Sequence, residues 1–290
     1  MPRAAPVCAC GAPLRRLLAD TGAHYDQPYL LYRCEVCDLI SPDPLPSETE
    51  VRATYDGYGR YASSAELTRD VERKRVQARR LVLRLERQLG ARFRGARLLE
   101  VGCAAGALLL NLAEERALDV HGLEPDRVNA AVARERLGER VHVGTLEDVR
   151  YDEQSFDVVY ADQVLEHVLD PARFLLECRR VLAPGGMLMV ATPNFAGLSA
   201  RLLGLGWKEL IPHQHIRMFT PRALRFYLER AQLLRTRVAT QGLYPIRRRD
   251  ERDLLPLRRG GWPERLLSKA LGVAGLGDGL GASAFRSIAQ

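Results

Sequence analysis

Residues 98–110 read LLEVGCAAGALLL, an apolar run that is interrupted by small residues from Gly102 to Gly106. Glycine at both ends of such a break permits a tight strand-to-helix turn and a close approach of the backbone to a ligand. Glu100 lies two residues before Gly102, and a carboxylate at that position suits a cationic ligand. These residues therefore predict a ligand site at the end of a strand.

A second acidic residue, Glu124 in DVHGLEP, ends the next apolar run. A carboxylate there can accept hydrogen bonds from both ribose hydroxyls of an adenosine. Dinucleotide-binding enzymes and adenosylmethionine-dependent enzymes share this feature. The two classes are therefore distinguished by the glycine spacing of the preceding turn. A dinucleotide site favours G-x-G-x-x-G, whereas the spacing here is G-x-x-x-G. The remaining alternative is a glycine turn that only packs a helix on a strand.

The cysteines are concentrated near the N-terminus, where Cys8, Cys10, Cys34 and Cys37 form two closely spaced pairs. Pairs at such spacing can direct four thiolates toward one tetrahedral zinc ion, although the first pair is one residue shorter than C-x-x-C. Four thiolates close the coordination shell, so we predict a structural zinc in a ribbon-like module of residues 1–46. Two unrelated reduced pairs are the alternative.

Turn-forming residues and hydrophobic periodicity predict the elements that position these residues. The stretch SPDPLPSETE predicts a linker that ends near Ser47, and an amphipathic helix with a solvated charged face is predicted from Glu66 to Leu89. Residues 47–95 are therefore predicted to be a separate segment, a Tyr-rich stretch and a helix that serve as a lid or a linker. From Ala96 onward, apolar runs alternate with helical patterns, which predicts an α/β fold with a doubly wound, mostly parallel sheet. Such a sheet binds ligands beyond the carboxyl ends of its strands.

The C-terminal part of the chain is predicted to complete this domain, which extends over residues 96–290. RTRVATQG predicts a strand, and SAFRSIAQ predicts its antiparallel partner. An insertion at about 243–280 separates them and contains the amphipathic stretch WPERLLSKALGVAGLG. A helix docked on the core is favoured for this stretch, with peripheral contact to a membrane or an anionic substrate as the alternative.

The motifs over Arg97–Leu234 resemble those of the class I S-adenosylmethionine-dependent methyltransferases, whose fold is a seven-stranded Rossmann-like sheet. The family's E-x-G-x-G-x-G turn corresponds to residues 100–106, with Ala104 in place of the middle glycine. FDVVYADQVLEHVLDP and LAPGGMLMVATPN are similar to the family's fourth and fifth strand segments. The resemblance implies that the chain binds S-adenosylmethionine.

The resemblance also implies how the cofactor is held. Glu124 would bind the ribose, GTLED would lie near the adenine, and Asp162 with its neighbours would line the methionine end. Thr145 stands where the family often has aspartate. The residues assigned to the cofactor in this way are Glu100, Gly102, Cys103, Ala104, Gly106, Glu124, Pro125, Leu146, Glu147, Asp162, Gln163, Val164 and His167.

One branch of the family is similar in its wider arrangement, because a zinc-ribbon-like segment and a Tyr-rich stretch precede the catalytic domain. Its P-x-x-H-x-x-x-F-T segment corresponds to PHQHIRMFT, which places His215 at the matching position. Members of this branch are frequent in bacterial pathways that decorate sugars of surface polysaccharides, lipids or secondary metabolites. Histidine can accept a proton near neutral pH, so His215 and His213 are the candidate catalytic residues. A structural capping role is the alternative for His215.

The Tyr-rich stretch contains Tyr55, Tyr58 and Tyr61. Aromatic faces attract a sulfonium as they attract other cations, so these residues are predicted to form a flap over the cofactor. Packing against the basic helix is an equally open alternative.

The predicted function is methyl transfer to a small-molecule, sugar or lipid-linked glycan acceptor. A nicotinamide-dependent oxidoreductase and a nucleic-acid-directed protein that uses the zinc module remain open as alternatives. The net charge of +7 comes mostly from arginines spread among acidic residues, so nucleic acid is not expected as a partner. No apolar run reaches the length of a membrane span, and the N-terminus lacks the order of a secretory signal, which predicts a cytoplasmic protein.

Overall fold

The computed structural model describes residues 6–14, 16–22, 28–55, 64–114, 118–242 and 262–288. The strands are β1 (Arg16–Asp20), β2 (Leu30–Arg33), β3 (Ile40–Asp43), β4 (Ala96–Val101), β5 (Leu118–Glu124), β6 (Val141–Val143), β7 (Phe156–Asp162), β8 (Leu182–Pro193), β9 (Leu234–Gln241) and β10 (Gly279–Phe285). The helices are α1 (Glu48–Tyr55), α2 (Ser64–Leu89), α3 (Ala107–Glu114), α4 (Arg127–Leu137), α5 (Leu146–Val149), α6 (Pro171–Val181), α7 (Leu198–Leu203), α8 (Pro221–Arg230) and α9 (Trp262–Val273).

The chain divides into two compact units. The first unit comprises residues 1–48, 163–175 and 190–284, and the second unit comprises residues 49–162, 176–189 and 285–290.

Seven strands form one sheet in the order β6-β5-β4-β7-β8-β10-β9. β4 runs parallel to both of its neighbours, so that Leu98 pairs with Val120 of β5 and with Val158 of β7. The winding reverses between β4 and β7, where a doubly wound sheet offers its ligand crevice at the carboxyl ends of the strands. The fold class predicted from the alternating pattern is confirmed.

The core of the second unit lies on both faces of its strands, as near-continuous apolar runs predict. Leu98 of β4 and Val158 of β7 are fully buried, and Leu85 of α2 belongs to the same core cluster. Gly122 lets β5 pass close to the turn after β4, because a Cβ there would lie 2.8 Å from Cys103 Sγ. A larger residue at this position would push the turn away from the sheet.

The first unit begins with a three-stranded antiparallel sheet in the order β1-β2-β3. The prediction of a linker starting at Ser41 is wrong, because Ser41, Pro42 and Asp43 belong to β3. Ile40 exchanges two backbone hydrogen bonds with Met218, of 3.0 and 2.9 Å, which gives β3 a partner beyond β2. Proline tolerates a strand position where its nitrogen is not needed as a donor, so its presence did not exclude a strand.

The C-terminal strands of the first unit differ partly from expectation. The strand predicted over SAFRSIAQ lies earlier in the chain as β10, which ends at Phe285. Leu280 and Ala282 of β10 are buried, whereas Ile288, which follows the strand, is exposed. α9 lies against β9, where a Cβ at Gly272 would lie 2.9 Å from the Thr240 carbonyl oxygen. The predicted amphipathic helix is therefore docked on a strand. The rest of the predicted insertion, residues 243–261, lies outside the described residues.

Within the part of the chain that the structure describes, no helix combines the length and the apolar character needed to cross a membrane.

Candidate functional site

The break after β4 is a tight turn built on three left-handed residues. Gly102, Ala104 and Gly106 have φ angles of +73°, +47° and +78°. Gly102 and Cys103 both donate backbone N–H bonds, of 2.8 and 3.1 Å, to the carbonyl oxygen of Leu123 in β5. The turn is thereby fixed to the end of β5, and α3 begins directly after it.

Glu124 ends β5 and is buried. Its Oε2 accepts a 2.8 Å hydrogen bond from the N–H of Ala104, and its Oε1 accepts a 2.9 Å bond from the N–H of Asp126. Burial raises the pKa of Glu124 above its ordinary value, and the two backbone hydrogen bonds oppose that rise. The carboxylate therefore connects the turn after β4 with the start of α4, and Pro125 is half-buried beside it.

Glu100 is buried near the end of β4. Among the described residues, none hydrogen-bonds to its Oε2. Burial raises the pKa of Glu100 to about 8, and Lys74 opposes this rise. A buried carboxylate is costly unless a partner compensates it, so the position suits a ligand group that is cationic or donates hydrogen bonds.

Asp162 ends β7 and is held by α2. Gln77 Nε2 donates 2.9 Å hydrogen bonds to the Tyr160 hydroxyl and to Asp162 Oδ2, and Lys74 Nζ lies 3.9 Å from the same carboxylate oxygen. Lys74 also acts on the pKa of Glu100. The prediction of a solvated charged face is wrong at Lys74, which lies three residues before Gln77 and therefore on the same side of the helix.

The segment after β6 contains the residues assigned to the adenine. Leu146 is buried and Glu147 is half-buried. Thr145 caps α5, since its hydroxyl accepts from the N–H of Asp148 while the Asp148 carboxylate accepts from the N–H of Thr145. The residue that stands where the family often has aspartate therefore serves the helix.

Gln163 and Val164 belong to the first unit and follow β7 directly. Gln163 has a φ angle of +58°, which is unusual for a residue with a Cβ and is found preferentially at functional sites. Its N–H donates a 2.8 Å hydrogen bond to the Ala191 carbonyl oxygen, which holds this conformation. The side chain of Gln163 is exposed and that of Val164 is half-buried.

Glu166, His167 and His215 form a compact cluster in the first unit. Each offers one ligand-type atom, and these atoms lie within 4.8 Å of one another. The two imidazole rings meet edge to face with their centroids 4.9 Å apart. Nδ1 of His167 lies 3.0 Å from the Gln214 carbonyl oxygen, and Nδ1 of His215 bonds to that of Glu209. A carbonyl only accepts, so both Nδ1 atoms carry their proton.

Burial keeps both histidines of this cluster neutral. It lowers the pKa of His167 to about 3 and lowers the pKa of His215 below its ordinary value. A neutral imidazole with a protonated Nδ1 presents the lone pair of Nε2 to a proton or a ligand. His213, the other candidate catalytic residue, is exposed.

The segment that carries His215 is fixed by the buried side chain of Arg217. Its guanidinium donates to the Leu169 carbonyl oxygen at 2.9 and 2.7 Å and to the Ser41 hydroxyl at 3.1 Å. Its backbone N–H donates a 3.0 Å bond to the Glu166 carbonyl oxygen. In the sequence Arg217 is only a basic residue two positions after His215, because its partners come from distant parts of the chain.

The four N-terminal cysteines come together. Cys8 Sγ lies 3.5 Å from Cys37 Sγ, Cys10 Sγ lies 3.6 Å from Cys34 Sγ, and all four sulfurs lie within 4.8 Å of one another. Sulfurs around one tetrahedral zinc, with bonds of about 2.3 Å, are about 3.8 Å apart, so the spacing fits this ion. The Tyr227 hydroxyl of α8 lies 4.0 Å from Cys8 Sγ and 3.9 Å from Cys37 Sγ. The donor set and its spacing suit zinc.

The sequence of the central part of the chain matches a known family. The sequence model of that family, which is described as a methyltransferase domain, matches residues 71–234, more than half of the chain. The chain belongs to the class I S-adenosylmethionine-dependent methyltransferases. The matched range of the methyltransferase includes the turn after β4 and the histidine cluster.

The methyltransferase is 36% identical over 148 residues to the ubiquinone biosynthesis O-methyltransferase of Nitrobacter winogradskyi, a match that covers 47% of this chain and 56% of the relative. The chain thus spans little more than half the length of such curated relatives. The S-adenosylmethionine-dependent methyltransferase of Thermotoga maritima has a TM-score of 0.52 at 20% identity, over 82% of this chain and 100% of that one. Phosphoethanolamine N-methyltransferase 2 of Haemonchus contortus, in complex with S-adenosyl-L-methionine, also scores 0.52 at 20% identity, over 72% and 52% of the two chains. These structures show a shared fold.

The second unit of the methyltransferase fits its family's cofactor. The buried Glu100 oxygen without a partner among the described residues suits the methionine amino group, which is cationic. Gly106 keeps the turn compact, because a Cβ there would lie 3.0 Å from Leu137 Cδ1. Family membership also decides against the nicotinamide-dependent oxidoreductase. Tyr58, Tyr61 and the side chain of Tyr55 lie outside the described residues, so the flap over the cofactor stays a prediction.

Proposed function

We propose that this methyltransferase transfers a methyl group to a hydroxyl oxygen of a small-molecule acceptor, a class that includes sugars and lipid-linked glycans. The observation that carries the proposal is the buried, neutral His215, whose Nδ1 is bonded to a backbone carbonyl. A hydroxyl must lose its proton during methyl transfer, and a neutral imidazole nitrogen can receive it. The name of the Nitrobacter winogradskyi relative, an O-methyltransferase, also supports an oxygen acceptor.

We propose that the second unit holds the cofactor through carboxylates at the ends of its strands. S-adenosylmethionine, when bound, supplies a methyl group that is already activated on a sulfonium. Glu124 binds the ribose hydroxyls, Glu100 pairs with the amino group, and Asp162, held by Gln77, serves the methionine end. Leu146 and Glu147 flank the adenine in this assignment, and Gln163, Val164 and His167 keep the cofactor-binding role that the family resemblance implies.

The transfer is an in-line displacement. A lone pair of the acceptor oxygen forms the new bond to the methyl carbon while the carbon–sulfur bond breaks. The electron pair of that bond stays on sulfur, which gives S-adenosylhomocysteine, and the hydroxyl proton passes to a base. Because the methyl group is already activated, we expect most of the rate to come from alignment and the exclusion of water.

His215 is proposed as that base in preference to His213. The hydrogen bond to Glu209 fixes the tautomer, so that Nε2 is the nitrogen able to take the proton. His213 is exposed, so its ring is in contact with water, whereas His215 is buried. Burial of His215 also favours the neutral state that a base requires, because desolvation lowers its pKa.

The test measures transfer from methyl-labelled S-adenosylmethionine to a panel of phenols, sugars and glycolipids, with the methylated atom identified by mass spectrometry and NMR. The variants are His215→Ala, His213→Ala and, as a control, His142→Ala in β6. We expect an O-methylated product, a loss of about 100-fold or more in His215→Ala, and little change in His142→Ala. Methylation of nitrogen or carbon contradicts the oxygen acceptor, and an equal loss in His213→Ala moves the base to that residue.

We also propose that the cysteine cluster holds a structural zinc and that residues 1–46 are a zinc-ribbon-like module. Four thiolates leave no open coordination position, so the ion has no place for a substrate. Arg230 of α8 donates a 3.2 Å hydrogen bond to the Cys10 carbonyl oxygen, which supports a bracing role for the cluster. Elemental analysis is expected to find one zinc ion that is lost when Cys34 and Cys37 are both replaced by serine.

A further inference from the structure

The Glu166–His167–His215 cluster has a donor set that the proton-transfer role of His215 does not use. Two imidazole nitrogens and one carboxylate oxygen form the set that holds many divalent transition metals. We propose that this cluster binds one divalent transition metal ion that acts on the acceptor hydroxyl. The inference rests on the proposed function and refines it, because it makes His215 a metal ligand instead of the direct base.

The first support is distance. The three ligand-type atoms lie within 4.8 Å of one another. Nitrogen and oxygen ligands on one ion, with bonds of about 2.0–2.2 Å, are about 3 to 4 Å apart, so small side-chain rotations bring all three onto one centre. The three residues come from two separate segments, and the backbone bond from Arg217 to the Glu166 carbonyl oxygen joins these segments.

The second support is the orientation of the donors. A histidine that binds a metal usually donates its other ring N–H to a carbonyl or a carboxylate, which fixes the ring. Both histidines have this arrangement, with Nδ1 of His167 directed at Gln214 and Nδ1 of His215 directed at Glu209. Glu166 is oriented as well, because the hydroxyl of Thr192 donates a 2.8 Å hydrogen bond to its Oε2.

The third support is the contrast with the cysteine cluster. Four thiolates form a closed site for a structural ion, whereas three nitrogen and oxygen donors leave coordination positions open. An open position next to buried ligands can take a substrate oxygen. Glu166 and His215 are both buried, so a cation held by them acts in surroundings where its field is weakly screened.

The chemical consequence concerns the acceptor proton. A divalent cation favours the ionised form of a hydroxyl placed beside it, so the proton leaves to water without passing to His215. The displacement itself is unchanged, since the oxygen still forms the bond to the methyl carbon and sulfur still keeps the electron pair. The acceptor class that follows is a hydroxyl compound whose oxygen can contact the ion.

The test titrates Co²⁺ into the full chain with zinc already bound at the cysteines and follows the cobalt d–d bands. Nitrogen and oxygen ligands give these bands without the intense sulfur-to-cobalt charge transfer of a thiolate site. We expect one Co²⁺ per chain, bound without that charge transfer, in the unaltered protein and in the control His142→Ala. His215→Ala and Glu166→Gln should each weaken binding by about 100-fold or more.

The buried position of Glu166 requires a check on folding, so circular dichroism and S-adenosylhomocysteine binding accompany each variant. The inference is overturned if the unaltered protein shows no saturable Co²⁺ binding, or if folded His215→Ala binds Co²⁺ as tightly as His142→Ala does. If methyl transfer continues at full rate without Co²⁺ binding, the metal-ligand role of His215 is overturned and its proposed role as the base is retained. Co²⁺ binding in a chain that methylates no hydroxyl overturns the proposed function instead.

Discussion

The backbone N–H of Ala104 donates a 2.8 Å hydrogen bond to Oε2 of Glu124, so one carboxylate joins the turn after β4 to the end of β5. The second oxygen of Glu124 accepts from Asp126, the N-cap residue of α4. A residue assigned to the ribose therefore also organises the loops around it. Under this assignment, ligand binding and local structure at the site depend on the same carboxylate.

Replacing Glu124 by alanine should abolish measurable S-adenosylhomocysteine binding. The change removes the acceptor proposed for two ribose hydroxyls. It also leaves the N–H groups of Ala104 and Asp126 without their partner, at a cost of about 1–3 kcal/mol each where they stay buried. Calorimetric titration measures the loss. Glu139→Ala, at an exposed glutamate, is the control and should bind normally; equal affinity in both variants contradicts the assignment of Glu124.

Replacing Ala104 by glycine should cost less stability than replacing Ala105 by glycine. Ala104 holds a φ of +47°, where a Cβ costs about 1–2 kcal/mol, and glycine relieves this strain. Ala105 is buried beside Leu67 and Ala107, so its glycine variant loses packing and gains no relief. Urea unfolding should separate the two variants by about 1–2 kcal/mol. Equal losses would mean that the turn does not strain Ala104.

Much of the fold follows from local patterns. The alternation of apolar runs and helical stretches predicts the doubly wound sheet, and the cysteine spacing predicts the cluster that Cys8 and Cys37 help to form. The glycines at 102 and 106 predict the turn, since both need a positive φ. These features depend on periodicity or on neighbours close in sequence, which a single sequence displays.

The parts that sequence reasoning missed depend on contacts between distant segments. The sequence predicts a linker at Ser41 and Pro42, yet these residues belong to strand β3. This strand pairs with β2 on one side and with Met218 on the other. Lys74 belongs to the charged helix face that the sequence predicts to be solvated, although its Nζ lies 3.9 Å from Asp162 Oδ2. The hydrogen bond from Thr192 to Glu166 joins residues 26 positions apart, and no periodicity in the sequence predicts it.

The buried Glu100 should make the unliganded protein less stable as the pH rises. Its folded pKa of about 8 exceeds the ordinary value of 4.5, so the folded state binds more protons than the unfolded state between these values. Stability is therefore lost as pH rises from about 4.5 to 8, by at most about 5 kcal/mol from this group. Glu100→Gln should remove this slope, as urea unfolding at a series of pH values would measure.

The same glutamate should link S-adenosylhomocysteine binding to proton release. Pairing with the ligand's ammonium group favours the ionised carboxylate, so binding near pH 7 should release a proton and weaken as the pH falls. Calorimetry in buffers of different ionisation enthalpy measures this release. Glu100→Gln should bind more weakly and release less; unchanged proton release in the variant would assign the linkage to another group.

Removing zinc from the cysteine cluster should expose Trp207. Cys34 and Cys37 lie in the connection between β2 and β3. Trp207 is fully buried in a hydrophobic cluster that includes two residues of the N-terminal cysteine module, Tyr29 and Ile40. Loss of the metal frees this connection, so the strands lose the support that keeps water from the indole. The emission of Trp207 should then shift to longer wavelength and become accessible to iodide.

The experiment uses Trp262→Phe, because the chain has two tryptophans and this change leaves Trp207 as the reporter. A chelator removes the ion while released zinc is measured with an indicator dye. Replacement of the buried Cys178 by alanine, outside the cluster, should leave zinc content and emission unchanged. Stoichiometric zinc release with no change in emission would show that β2 and β3 hold Trp207 without the metal, and the bracing role of the cluster would then be wrong.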